Sequence, residues 1–294
     1  MFRYPIALWS GGEEIDLKRV IKVFYYEIKR ILLRKPYVAE IFITEKCNLK
    51  CKHCFFFKTN RKYTIEDQDA ENWTKNFENL YHEGVRRLCI VGGEPSLNMD
   101  VIFQANAVFP YIDICTNGLI KIPESINHRL FISVDGSDDY NYVYRGAKVL
   151  HRISENYKND KRVVLLMTLT KFNINEIESV VDFARINGFR ALVFSLYTPL
   201  SEKDEFYIDQ KTRFELIAKI RDCKKKYPDI IKASDFVLDW YRSQDHTSKC
   251  YWRDKVLHYN SKFELIDACS NMDCENCGYF SGANIGPLNI FYKK

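Results

Sequence analysis

Short apolar runs recur along the chain at intervals that suit alternating strands and helices. The runs at 37–44, 87–91, 111–115, 130–134, 163–168 and 191–196 are dominated by Val, Ile, Leu, Phe and Tyr and read as buried strands. Between and after them, a 3.6-residue apolar period predicts helices over 65–83, 100–109, 139–156, 174–187 and 210–226. Such alternation argues for an α/β fold of six βα units, with a parallel sheet and right-handed crossovers. Ahead of these units, Leu17, Val20, Ile21, Phe24, Ile28, Ile31 and Leu32 fall on one helical face, and Pro36 stops the pattern.

Composition narrows the class without naming a chemistry. A chain of 294 residues with 46% hydrophobic and 15% aromatic content can bury a large core, which excludes a mainly disordered protein. A net charge of +5 is mild, so nucleic-acid binding is not implied. No run of eighteen apolar residues is present and no signal-peptide pattern opens the chain, so the expected compartment is the cytoplasm. Of the ten cysteines, seven fall in two metal-type sets; Cys89, Cys115 and Cys223 lie in apolar or amphipathic segments and read as buried thiols. That usage fits a reducing compartment better than a disulfide scaffold.

The first set is Cys47, Cys51 and Cys54, spaced Cys-x3-Cys-x2-Cys directly after the first strand. Thiolates bind iron or zinc, yet structural zinc sites and electron-transfer clusters normally take four protein ligands. Three thiolates around a [4Fe–4S] cluster leave one iron open to a non-protein ligand; a zinc knuckle is the alternative. Gly92-Gly93-Glu94-Pro95 closes the second strand. Its glycines suit close backbone approach with exposed N–H donors, and Glu94, expected on an exposed loop, can accept from an ammonium group. Thr116-Asn117-Gly118 and Ser133-Val134-Asp135-Gly136 end the third and fourth strands.

In order and spacing these motifs, spread over 36–199, resemble the radical S-adenosylmethionine (SAM) superfamily. The resemblance implies a partial (β/α)6 barrel over 36–200 with its site at the C-terminal ends of the strands. It implies a [4Fe–4S] cluster on Cys47, Cys51 and Cys54 whose open iron binds SAM, and an oxygen-sensitive enzyme fed by a flavodoxin- or ferredoxin-type reductant. SAM would be held by Gly92, Gly93, Glu94 (at its amine), Asn117, Ser133 and Asp135. His53 would lie against adenine or serve as a solvated loop residue, and Thr198 would run along the adenine. Arg145 in Tyr144-Arg145-Gly146 resembles an arginine–glycine pair of relatives with a second cluster; it either pairs with a carboxylate or caps a solvated helix face, the commoner use. The cofactor performs the difficult step, so no catalytic side chain is assigned.

The second set is Cys250, then Cys269-x4-Cys274-x2-Cys277. Four thiolates close a second [4Fe–4S] cluster with no open iron, zinc being the alternative. The segment 241–294 resembles shortened SPASM and twitch extensions, with too few cysteines for the two clusters of a full SPASM domain, and 201–240 is a helical connection. The expected reaction is hydrogen abstraction from a peptide or small molecule. The basic helix over 1–35 either packs on the barrel or makes a peripheral membrane contact, which would suit a lipid or isoprenoid substrate. A non-enzymatic iron–sulfur or zinc protein on a retained barrel is the alternative of another class.

Overall fold

The computed structural model describes residue 25 and residues 38–54, 70–201, 203–243, 250, 252–253, 256–267, 269 and 273–279. Apart from Tyr25, the basic helix expected over 1–35 lies outside the described residues. Six parallel strands form in chain order: β1 (Val38–Phe42), β2 (Arg87–Val91), β3 (Tyr111–Thr116), β4 (Arg129–Ser133), β5 (Val163–Leu169) and β6 (Ala191–Leu196). Between and after them lie α1 (Ala70–Glu83), α2 (Met99–Val108), α3 (Asp138–Arg145), α4 (Leu150–Tyr157), α5 (Ile177–Ile186), α6 (Gln210–Lys226) and α7 (Asp235–Arg242). Each long helix turns an apolar stripe to the sheet, as Trp73, Phe77 and Leu80 of α1 do one helical turn apart, all buried. No described helix is long and apolar enough to cross a membrane.

Three expectations change. The helix read over 139–156 is two helices, because Gly146 takes a left-handed conformation (φ 84°) and caps α3 through its N–H to Tyr142 O at 3.2 Å. The β3–β4 connection holds no helix. Its loop is pinned instead by Tyr157, whose hydroxyl accepts from Ile122 N at 2.9 Å and donates to Ile120 O at 2.8 Å, and by Arg162, which donates to Pro123 O and Ile126 O at 2.7 Å. Lastly, the segment after 241 supplies a seventh strand, β7 (Val256–Tyr259), parallel to β1, giving the sheet order β6-β5-β4-β3-β2-β1-β7. Four residues are too few for a sequence period to reveal.

The open edges of this curved sheet are β6 and β7, and the C-terminal segment reaches both. Beyond β7 it returns to β6, where Leu196 N donates to Gly278 O at 2.8 Å and Gly278 N donates to Thr198 Oγ1 at 2.9 Å. Only glycine fits there, since a Cβ would stand 2.3 Å from that of Leu196. Arg213 of α6 holds the same loop from behind, donating to the carbonyls of Tyr241 (3.2 Å), Cys277 (3.1 Å) and Asn276 while fully buried. Arg213→Ala leaves three carbonyls unserved. It should cost about 3 kcal/mol in urea unfolding and speed amide exchange at Gly278 more than in β3; equal protection at Gly278 would show that the loop docks without the arginine.

Candidate active site

The first cysteine set and the Gly92–Pro95, Thr116–Gly118 and Ser133–Gly136 motifs lie at or beyond the C-terminal ends of strands β1 to β4. The ladder between β1 and β2 does not stop with the strands. It continues as Ile43 N to Val91 O (3.1 Å), Gly93 N to Thr44 O (2.8 Å) and Glu94 N to Lys46 O (2.8 Å), so the Gly92–Glu94 turn and the lead-in to Cys47 are zipped together. A Cβ on Gly92 would meet Thr44 O at 2.4 Å, and one on Gly93 would meet Lys46 O at 2.2 Å. The glycines therefore serve chain-to-chain contact, and the Gly93 N–H, expected to face a ligand, is taken by a backbone carbonyl, as is the N–H of Glu94. The far side of the cysteine loop is tied to α3 by Lys52 N donating to Tyr144 O at 2.8 Å.

Glu94 is not on an exposed loop. It is 1% exposed, and its Oε1 accepts from Ser96 N (3.0 Å), Ser96 Oγ (2.6 Å) and Thr116 Oγ1 (2.6 Å), while Oε2 accepts from Asn117 N at 2.7 Å. A carboxylate offers about four acceptor positions over its two oxygens, so Oε2 keeps capacity for a further donor. Asn117 in turn donates through Nδ2 to Asn48 Oδ1 at 2.6 Å, joining the third strand's end to the cysteine loop.

Beneath the cysteine loop lies an ionic centre. Asp135 is fully buried; its Oδ2 stands 2.6 Å from Arg145 Nη1 and 3.1 Å from His53 Nε2, and its Oδ1 accepts from Thr168 N at 2.8 Å. Burial would raise its carboxyl, but Arg145 and His53 outweigh burial and hold it well below the usual range. Neither His53 nor Arg145 is solvated as one reading of each allowed: both are buried, with the His53 ring edge-on to Phe206 at 6.0 Å between centroids. His53 Nδ1 and Arg145 Nε have no hydrogen-bond partner among the described residues, so the wall keeps two unused polar atoms beside Cys51 and Cys54.

All seven cysteines of the two sets line one cavity of about 350 Å³, together with Gly92, Gly93, Glu94, Asn117, Ser133, His53 and Thr198. Asp135 does not line it and acts through His53 and Arg145. The Thr198 hydroxyl is engaged with the C-terminal loop, 3.8 Å from Cys277 Sγ. Burial pushes the Cys47 thiol up to about 11 and the Cys269 thiol up to about 12, the latter helped by Cys250, Cys277 and Cys274. Such thiols are no free nucleophiles near neutral pH and ionise when a metal displaces the proton. Among the described residues no three His, Cys, Asp or Glu side chains gather around a single ion; in a [4Fe–4S] cluster each thiolate binds its own iron, which suits a wider set.

Sequence reading missed the polar groups inside the barrel. Glu40 stands 3.3 Å from His258 Nδ1 and accepts from Tyr279 OH at 3.4 Å, and Asp113 binds Arg87 and Arg129. The available signal was a charged residue at one alternate position of an otherwise apolar strand, as in Val38–Phe42 and Tyr111–Thr116.

Asp135→Asn should cost about 3 kcal/mol of stability at neutral pH by leaving Arg145 buried with a neutral partner. A carboxylate with a depressed folded pKa contributes stability above its unfolded value of about 3.9 and loses it as pH falls through the folded one. The gap between wild type and variant in denaturant unfolding is therefore expected to be flat above about pH 5 and to narrow below about pH 4. A gap that does not change between pH 7 and 3 would remove the ionic account.

Comparison with known proteins places these features. The profile of the radical SAM superfamily matches residues 41–184. The sporulation killing factor maturation protein SkfB of Bacillus subtilis is 25% identical over 301 residues, covering 88% of this chain and 72% of that protein. A GTP 3',8-cyclase of Lactiplantibacillus plantarum is 28% identical over 268 residues, covering 80% and 73%. Among solved structures, Streptococcus suis SuiB bound to precursor peptide SuiA superposes with a TM-score of 0.62 at 17% identity, over 96% of this chain and 70% of that one. Native anSMEcpe with bound AdoMet gives a TM-score of 0.63 at 16% identity, over 86% and 78%.

Proposed function

The chain belongs to the radical SAM superfamily of enzymes, and we propose that it cleaves SAM reductively and abstracts hydrogen from a peptide or small molecule, with a second [4Fe–4S] cluster for electron transfer. One observation carries this reading: two cysteine sets, one of three and one of four, line a single cavity. Cys47, Cys51 and Cys54 are the ligands of the first cluster, which with SAM and an electron from a flavodoxin- or ferredoxin-type reductant supplies a 5′-deoxyadenosyl radical. Cys250, Cys269, Cys274 and Cys277 ligate the second and leave it no open iron.

The remaining side chains hold and orient. Glu94 Oε2 receives the SAM amine beside Asn117 N, because Oε1 is already saturated by Ser96 and Thr116. His53 and Ser133 present polar atoms to the cofactor, with Asp135 fixing the imidazole from behind. Thr198 holds the second cysteine set. On this reading the chain divides into an N-terminal helical extension (1–35), the barrel (36–200), a helical connection (201–240) and a cluster-bearing extension (241–294). A peptide substrate is favoured by the likeness to SuiB, solved with a precursor peptide, and to SkfB; a nucleotide-like small molecule is the second reading, on the likeness to GTP 3',8-cyclases.

The reduced, anaerobically reconstituted protein should form 5′-deoxyadenosine, and Cys47→Ala should abolish it. Glu94→Gln should weaken SAM binding by about 1.5–3 kcal/mol, roughly tenfold or more, in calorimetry; unchanged affinity would move the amine elsewhere. Cys274→Ala should remove about half of the iron, since one of two [4Fe–4S] clusters is lost, while 5′-deoxyadenosine still forms. Zinc found in the wild-type C-terminal site by metal analysis would refute the electron-transfer role.

A further inference from the structure

Lysines flank the middle cysteine of the first set, and the site described above uses neither side chain. Leu49 and His53 are buried and Cys51 lines the cavity, whereas Lys50 and Lys52 between them are exposed. The C-terminal end of α3 packs against this loop. Lys52 N donates to Tyr144 O at 2.8 Å, and a Cβ on Gly146 would stand 3.9 Å from Lys50 O. The acids of that helix, Asp138 and Asp139, lie in its first turn, engaged by Leu150 N (3.0 Å) and by Lys148 (3.4 Å). Among the described residues no carboxylate pairs with Lys50, Lys52 or Lys171. Asp209 lies within the field of Lys171, yet its carboxylate caps α6 by accepting from Thr212 N at 2.7 Å.

Two rings lie between Lys52 and Lys171. Tyr144 of α3 and Phe172, in the loop after β5, stack with centroids 5.7 Å apart and 19° between their planes. Lys52 Nζ is 5.5 Å from the centre of the first ring and Lys171 Nζ is 5.1 Å from that of the second, both within cation–π reach. Neither ring lines the cavity, and Phe172 is 42% exposed. Tyr142 and Val143, on the same helix as Tyr144, also stay exposed. Exposed apolar surface rimmed by charge is the make-up of a protein-docking patch.

Behind the two rings the packing continues inward. Phe206 is fully buried and stands edge-on to both, 6.0 Å from Tyr144 and 5.7 Å from Phe172. On its inner side the His53 ring lies edge-on at 6.0 Å, in the chain between Cys51 and Cys54. Contacting rings thus lead from solvent to the cysteine loop. Electron tunnelling falls off exponentially with distance, and faster across empty space than through packed atoms. A carrier protein is too large for a cavity of about 350 Å³. It must approach from outside, where packed atoms separate it least from the first cysteine set.

We propose that Lys50, Lys52 and Lys171, with the rings of Tyr144 and Phe172, form the docking surface for a small acidic electron-carrier protein that reduces the first cluster. This inference rests on the radical reading and gives its reductant a place on the chain and a sign of charge. A cationic rim around an apolar centre suits a partner with carboxylates around an exposed redox group. Electron-transfer encounters are small and brief, so a patch of a few residues is enough. One electron crosses in each encounter: the carrier is oxidised by one unit, the cluster is reduced by one, and no bond or proton moves.

The test uses the full-length reconstituted protein with SAM, a flavodoxin and, separately, a small acidic ferredoxin. Calorimetry at low salt should show saturable binding of one carrier per chain, weakening as ionic strength rises toward about 0.15 M. Lys50→Glu combined with Lys52→Glu should weaken that binding about tenfold or more, and Lys171→Glu should weaken it further. In parallel, 5′-deoxyadenosine is measured with the reduced carrier and with dithionite plus methyl viologen, a small cationic mediator that needs no docking surface. The variants should lose carrier-driven formation and keep mediator-driven formation. Absence of binding by both carriers overturns the proposal, as does unchanged binding in the lysine variants. An equal fall with carrier and mediator also overturns it, because the lysines would then serve the loop's own structure. If the wild type forms no 5′-deoxyadenosine with the mediator, the radical reading fails, and calorimetry still decides separately whether this surface binds the carrier.

Discussion

Two backbone segments interlock at Gly92 and Gly93, and the geometry of the first cysteine set follows from that lock. The ladder between the first two strands continues past their ends, through Gly93 N to Thr44 O and Glu94 N to Lys46 O, until it reaches the residue before Cys47. No side chain can enter this contact, since even a methyl on Gly93 would lie far inside van der Waals contact with the Lys46 carbonyl oxygen. Because the ladder is rigid, Cys47 and Glu94 are placed together. Whatever Glu94 holds is thereby set at a fixed distance from the first thiol.

A second constraint closes the barrel. An open sheet leaves two edges with unpaired backbone groups, and here one C-terminal segment serves both, pairing β7 with β1 and Gly278 with β6. The cysteines of the second set are carried on this closing segment. Their place in the cavity is thus a consequence of edge pairing, with Arg213 gripping the loop from the helical layer. Loss of the segment would expose the cavity wall as well as remove the second cysteine set.

Inside these two constraints the charged groups are distributed by burial. Asp135, Arg145 and His53 form a matched centre behind the cysteine loop, fixed on three sides by β4, α3 and β5. Asp113, paired with Arg87 and Arg129, forms a second buried ionic cluster and lines the cavity from strands β2, β3 and β4.

The strands, their order and most helices were legible because apolar runs and 3.6-residue periods are local properties, and α6 and β6 fall where the periods put them. So were both cysteine sets and the motifs at strand ends, which depend on spacing alone. The break at Gly146 was visible only as a glycine in an otherwise helical pattern. What the sequence could not reveal is everything that depends on which residues meet from afar. Glu94 looked exposed because its neighbours in sequence are turn residues, yet Thr116 and Asn117, more than twenty positions on, bury it. Arg145 looked solvated because its partner, ten residues earlier, belongs to another element. The short strand β7 and the row of polar groups from His258 through Glu40 and Asp113 to Arg129 exist only through register, since a hydrogen-bonded sheet aligns residues from five separate segments and no single segment carries the signal.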